Sequence, residues 1–464
     1  MTPRLAPRRF LRGNTYLTII WIAMLSGLIL AAYLTMVSTQ NSFSMRSQAW
    51  NRCIAVSEAG IEEALSHLYK NGVTNGNLYE DGWWNLGGQY YKRRCIDDCL
   101  YEVTISPEAN PVILSRGYVP LVQNYAKNKG WRAFMADAFF WWGARSDNYL
   151  HRTIRVETTA DGMFAKGLVA KHWIDLNGNN IRTDSFDSVD PSYSSNGLYC
   201  LSKAKDNGDI ATNSGLTNSA NIDVGNANIY GHAFTGPKGK VVWNNGAVGS
   251  KAWHDGGNSG IQPGWFRDDM NVSFPDVPAP FTSGYFTPSS GSVDGTNYDL
   301  VLGSGKYLSS SNVKYTSKAT IFVNGDAIWW CKAGIDIGGQ GTIIIAPNAR
   351  LQLCIGDTSG SGVSAAITGN GVQNGSGNAT NCFVYGLRSN TSITWSGNSA
   401  FTGAIYAPRA AVSMSGGGSD TLDFCGAGVF STITMNGHYN FHYDENLGRF
   451  GPRRGYVIAS WNEM

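Results

Sequence analysis

The chain has 464 residues, 15% of them charged, 56 Gly and a formal net charge of +2. That length supports two or three domains with cores of their own, and the composition argues against an average cytosolic enzyme. The charge is uneven: residues 1–57 hold six Arg and no Asp or Glu, leaving 30 basic against 34 acidic residues in the rest. No basic surface run suits nucleic acid.

Arg4, Arg8, Arg9 and Arg12 precede Gly13-Asn14 and an uncharged apolar run of 22 residues, Tyr16 to Val37. A helix of that length spans about 33 Å, enough to cross a hydrocarbon core. The preceding Arg place the N-terminus in the cytoplasm and the bulk of the chain outside it. Ser38-Thr39-Gln40-Asn41 follows, without the small-residue cleavage pattern of a signal peptide. From Gln40 to Lys70 there is no Pro and one Gly, and Trp50, Ile54, Ile61, Leu65 and Leu68 recur at helical spacing. Asn71-Gly72 is a stop signal. The spacing therefore predicts one rod over residues 14–70, apolar all round in its first half and amphipathic in its second.

Arg12-Gly13-Asn14, the apolar run and Arg46-Ser-Gln-Ala-Trp-Asn-Arg-Cys-Ile-Ala-Val-Ser-Glu58-Ala-Gly-Ile-Glu62-Glu63-Ala-Leu resemble the N-terminus of PilX-type and type II secretion K-type minor pilins. The resemblance covers about residues 8–70. It implies a basic leader over residues 1–13 and cleavage by a prepilin peptidase between Gly13 and Asn14, with methylation of the new N-terminus. It further implies packing of the helix against other pilins after extraction from the inner membrane. The fifth mature position, where major pilins of the family carry Glu, is Thr18. A subunit without that carboxylate cannot neutralise a neighbour's ammonium in an apolar bundle, which suits a filament tip or initiating position.

Residues 71–160 read as a small α+β region. Leu100–Ser106, Val112–Val119 and Arg152–Thr158 alternate apolar and polar residues as strands do. Between Pro120 and Leu150 lies an insertion with Trp131, Phe134, Phe139, Phe140, Trp141 and Trp142, either a contact surface or a satellite core. Of eight Cys, none at zinc spacing, Cys95 and Cys99 are close enough in sequence to close a small disulfide loop, and an exported compartment permits one. Asp175, Asn177 and Asn179 begin like a calcium loop, but Asn180 and Phe186 break the pattern, leaving an irregular Ca²⁺ site or an Asx-rich turn. No other cofactor is expected.

Residues 161–448 read as a ladder of short strands. Phe383–Gly386, Ala404–Ala407 and Ala427–Phe430 lie 21 and 23 residues apart. Ser392–Trp395, Ala411–Met414 and Thr432–Met435 interleave at 19 and 21, and Thr320–Val323 and Thr342–Ile345 are 22 apart. Two interleaved series with one period indicate stacked turns of chain. The expectation is a right-handed parallel β-helix; the competitor is an antiparallel β-sandwich. The ending, Gly403–Pro408 followed by Phe441–Glu445, resembles a β-helical domain often joined to PilX-type N-termini. Asp357–Thr380, rich in Gly, Ser and Asn, reads as an expelled loop, and residues 449–464 as a tail.

On the strand near the end, His438, Asn440, His442 and Asp444 share one face, and Tyr439, Phe441 and Tyr443 the other. The polar face is either a weak metal-site candidate (His438, His442, Asp444) or a solvent-facing edge. Asp326, Asp336, Asp420 and Asp423 are scattered rather than paired, unlike the clustered acids of a polysaccharide lyase or hydrolase. No nucleophile elbow, Walker loop or dinucleotide fingerprint occurs. The expected function is that of a minor pilin-like structural subunit of a type IV pilus or pseudopilus, priming assembly or sitting at the tip. Its β-helical head would serve adhesion or partner binding. The alternative is a membrane-anchored surface protein that binds or cleaves polysaccharide. Expected partners are other pilins, the prepilin peptidase, the inner membrane and a surface glycan or cell-surface ligand.

Overall fold

A computed structural model describes residues 15–71, 81–108, 110–121, 149–178, 181–216, 219–397, 400–416, 422–436, 438–450 and 453–464. The chain divides into two compact units, one of Met1–Ala160 with Gly455–Met464, the other of Asp161–Arg454.

In the first unit, helix α1 (Thr15–Asn71) runs unbroken for 57 residues and ends where the Asn-Gly stop places it. Its first half is uncharged and exposed on every side, and the helix is long and apolar enough to cross a membrane. The second half buries Cys53, Val56, Ser57, Gly60, Ile61, Ala64, His67 and Leu68. The expected stripe is thus corrected: Ile61 and Leu68 face inward, Ile54 and Leu65 flank the contact, and Trp50 is exposed. The centre of the interface is its small residues, because these let a sheet approach closely. A Cβ on Gly117 would lie 2.6 Å from the Cys53 carbonyl oxygen and 2.7 Å from the Ser57 nitrogen. Instead the Gly117 N–H donates to Ser57 Oγ at 2.9 Å.

That sheet orders β1 (Trp84–Leu86), β2 (Gln89–Ile96), β3 (Cys99–Ile105), β4 (Val112–Pro120), β5 (Tyr149–Gly162) and Arg453–Glu463 side by side. The first five pair antiparallel in chain order, and β3, β4 and β5 are the three strands that the alternation predicts. Most of residues 449–464 is no loose tail: Arg453–Glu463 is the sixth strand, tied to β5 by an Arg152–Glu463 ion pair and by Ser460 Oγ donating to Glu157 at 3.0 Å. The aromatic insertion lies in residues 122–148, outside the described residues.

The second unit is mostly parallel β-structure. Apart from the hairpin Ser289–Val293/Thr296–Leu302 and isolated antiparallel bridges, the strand pairings described in this unit are parallel, which excludes the antiparallel sandwich. The register follows the sequence period: Phe383 pairs Ala404 and Ala404 pairs Ala427, while Ser392 pairs Ala411 and Ala411 pairs Thr432. Thr320 pairs Thr342 in the same manner. Aligned register stacks like on like. Trp329, Leu353, Val384 and Ile405 form one buried column. Phe401, Phe424 and Phe441 form another, with ring centroids 4.7 and 4.8 Å apart and Trp395 against its end at 4.6 Å. Asp357–Thr380 is not an expelled loop. Val363–Ile367 and Val372–Asn374 are strands within the ladders, since Ala365, Ile367 and Val372 keep the inward apolar positions.

The chain does not climb the ladders in one direction. A first winding, Leu168 to Arg267, begins beside the chain's last ladder strands and runs away from them. Residues 271–288 then return along the outer face: Asn213 holds Val272, Arg409 pairs with Asp276 at 2.6 Å, Phe281 packs edge-on against Trp330, and Phe286 bridges Tyr307. A second winding, Gly305 to Asp444, climbs back until it meets the first. There Gly428–Phe430 pairs Leu168–Ala170, and Asn440–Asp444 pairs Arg182–Phe186. This seam joins residues more than 250 apart in sequence.

Candidate functional site

The seam gathers a cluster of buried polar side chains. Strand alternation turns Phe441 into the core, with Tyr439 and Tyr443, and sends His442 to the opposite face. The parallel register then sets His442 beside Asp184 on one side and Cys425 on the other. His442 Nδ1 lies 2.5 Å from Asp184 Oδ1 and Nε2 lies 3.2 Å from Asp423 Oδ1. The Tyr199 ring stacks on the imidazole at 3.5 Å while its hydroxyl donates to Asp184 Oδ2 at 2.8 Å. Arg182 Nε donates to that oxygen at 2.6 Å. His442 is 1% exposed and Asp184 fully buried.

Burial alone would push the His442 pKa down, but the hydrogen bonds and charges of Asp184 and Asp423 outweigh it and raise it. Asp423 is lowered: burial pushes it up, and the hydrogen bond and charge of His442 overcome that. Around this centre Lys205 pairs with Glu445, and Arg449 Nη2 contacts Asp187 at 2.6 Å. Asp444 is raised by burial, though it accepts the Ser188 and Asn446 N–H groups. Both imidazole nitrogens are engaged by carboxylates and one ring face is covered, so the arrangement clamps the two windings together and leaves neither nitrogen open to a ligand.

The sequence points to the polar face of this strand but does not join it to Asp184 or Tyr199, because nothing local to His442 points to partners in the first winding. The face is not a solvent-meeting edge: His442 and Asp444 are buried, and His438 is half-buried. Among the described residues no group of three or more His, Cys, Asp or Glu is placed to hold a metal ion. Asp175 Oδ1 accepts the Asn177 N–H at 3.1 Å, which forms an Asx turn, and Asn179 lies outside the described residues. Asp326 is exposed and Asp336 faces Lys314 at 4.0 Å; they sit on separate ladders. Asp420 is outside the described residues. Gly13 and Asn14 are also outside them, and Thr18 lies on the exposed half of α1.

Cys95 and Cys99, like Cys53, are unbonded thiols. They flank a two-residue turn in which Ile96 pairs Cys99 and Cys95 pairs Leu100, so alternation sends their side chains to opposite faces of the hairpin. Cys95 is exposed and Cys99 buried against α1.

Residues 285–450 match the model of a family described as a domain of unknown function, DUF7305. The match opens at the end of the returning segment and closes just past the seam, so it takes in the second winding and leaves the first outside. No curated protein matches the chain. No solved structure matches it.

Proposed function

We propose that this protein is a minor pilin-like structural subunit of a type IV pilus or pseudopilus, initiating assembly or sitting at the filament tip. The observation that carries the reading is α1: apolar and exposed over Tyr16–Val37, then continuous with a half docked on an antiparallel sheet. The first half serves as a single inner-membrane span, N-terminus cytoplasmic, until extraction into a bundle of like helices replaces lipid contacts with helix contacts. Prepilin peptidase cuts between Gly13 and Asn14. Thr18 offers no carboxylate to a neighbour's ammonium, which fits a terminal place and not a repeating one. The parallel ladders are the faces of a right-handed β-helix, which presents a surface for adhesion or a partner. The in-register columns and the regular period support that reading.

Quantitative mass spectrometry of filaments sheared from cells tests it. The protein is expected in the sheared fraction at far fewer copies than the repeating subunit. Its confinement to the inner-membrane fraction while filaments are being produced would overturn the assignment.

A further inference from the structure

The first unit contains three Cys: Cys53, Cys95 and Cys99. Cys53 and Cys99 are 0% and 2% exposed and belong to one buried cluster between α1 and the sheet. The strand register brings them to the same place. Cys53 Sγ donates to the Leu150 carbonyl at 3.3 Å, and Leu150 pairs with Val119. The register of the Leu100–Tyr118 pair, extended by one step, sets Val119 across from Cys99. Gly117 and Tyr101 of that ladder face α1, so Val119 and Cys99, two residues on, face it too. The flanking residues are clamped together: Arg52 grips Asp98 through two hydrogen bonds, 2.5 and 3.2 Å. Cys99 Sγ points at Asp98 Oδ1 at 3.3 Å, a contact that a side-chain rotation releases.

We propose that Cys53 and Cys99 form a disulfide that fastens the docked half of α1 to the sheet. This rests on the export assigned above. The Cys53 thiolate attacks a sulfur of a protein or low-molecular-weight disulfide, releasing one thiol and leaving a mixed disulfide. The Cys99 thiolate then attacks Cys53 Sγ, forming the Sγ–Sγ bond and releasing the second thiol. Two electrons pass to the oxidant, and the two thiol protons end on its reduced sulfurs. Burial pushes Cys53 to about 11 and Cys99 to about 12, so the exchange proceeds while α1 is docking and not afterwards. A tie at this point resists separation of helix and sheet when the stalk is pulled.

Full-length protein from membranes is denatured in iodoacetamide without reductant and digested. The expected result is a peptide pair joining Cys53 to Cys99, with Cys95 alkylated and the pair abolished by C99S. Alkylation of both Cys53 and Cys99 in protein that protease added to spheroplasts can reach would overturn the proposal. If protease added to spheroplasts cannot reach the chain, the export reading has failed. Refolding the purified full chain in mixed reduced and oxidised glutathione then decides alone: a Cys53–Cys99 link supports the pairing, and two free thiols overturn it.

Discussion

The two units bury their interiors by opposite devices. Where α1 meets its sheet, the contact is made by what is missing: Gly60 and Gly117 carry no side chain, and Ser57 fills the remaining space with a hydroxyl that accepts a backbone N–H. In the parallel ladders the contact is made by large side chains set on their counterparts in the next layer, as Phe401, Phe424 and Phe441 are. A close approach is damaged by adding atoms and a stacked column by removing them.

Four substitutions sharpen that contrast. The largest loss is expected from Phe424→Ala, about 3–5 kcal/mol, because rings on both sides lose their partner and cannot collapse into the gap. Denaturant unfolding followed by tryptophan fluorescence measures it; a loss under about 1 kcal/mol would mean the column is not tightly packed. Gly117→Val is expected to cost about 1–3 kcal/mol by forcing new atoms against the α1 backbone. Limited proteolysis should then cut the docked half of α1 while the ladders stay resistant. Equal exposure of both units would break the contrast.

The third concerns pH. The folded state binds the His442 proton more tightly than the unfolded chain, so the seam's contribution is full below about pH 6.5. It fades as pH rises through the folded-state pKa. Thermal melts between mildly acidic and alkaline pH should show this decline and lose it in His442→Gln; a seam as stable at alkaline pH would refute the charged clamp. The smallest effect is expected for Asp276→Ala, about 0–1 kcal/mol, because its partner Arg409 is 42% exposed and water replaces much of the pairing. A larger loss in urea titration would show that the returning segment depends on this pair.

What was legible in sequence follows the same division. The second winding announces itself because stacked layers repeat their apolar positions, and the spacings of Phe383, Ala404 and Ala427 are its pairing register. The first winding is nearly silent. Ile222–Asp223 and Ala233–Phe234 are two residues long, too short for a period to show. The seam is silent too, since Asp184 and His442 are neighbours only after the chain has travelled out and back. On α1, large residues at helical spacing draw attention to Trp50, while the real contact runs through Ser57 and Gly60, which a search for apolar side chains passes over. Composition alone misleads at Asp357–Thr380, where Gly and Asn take turns between strands that keep their inward apolar residues.

The proposed function stands on the exposed half of α1 being a pilin-type stalk released from a short basic leader. Intact-mass and N-terminal peptide measurements on protein from the cell envelope test it most directly. A chain that begins at Asn14 with a methylated amine is expected. A chain that still begins at Met1, or one cut beyond Val37, would contradict it.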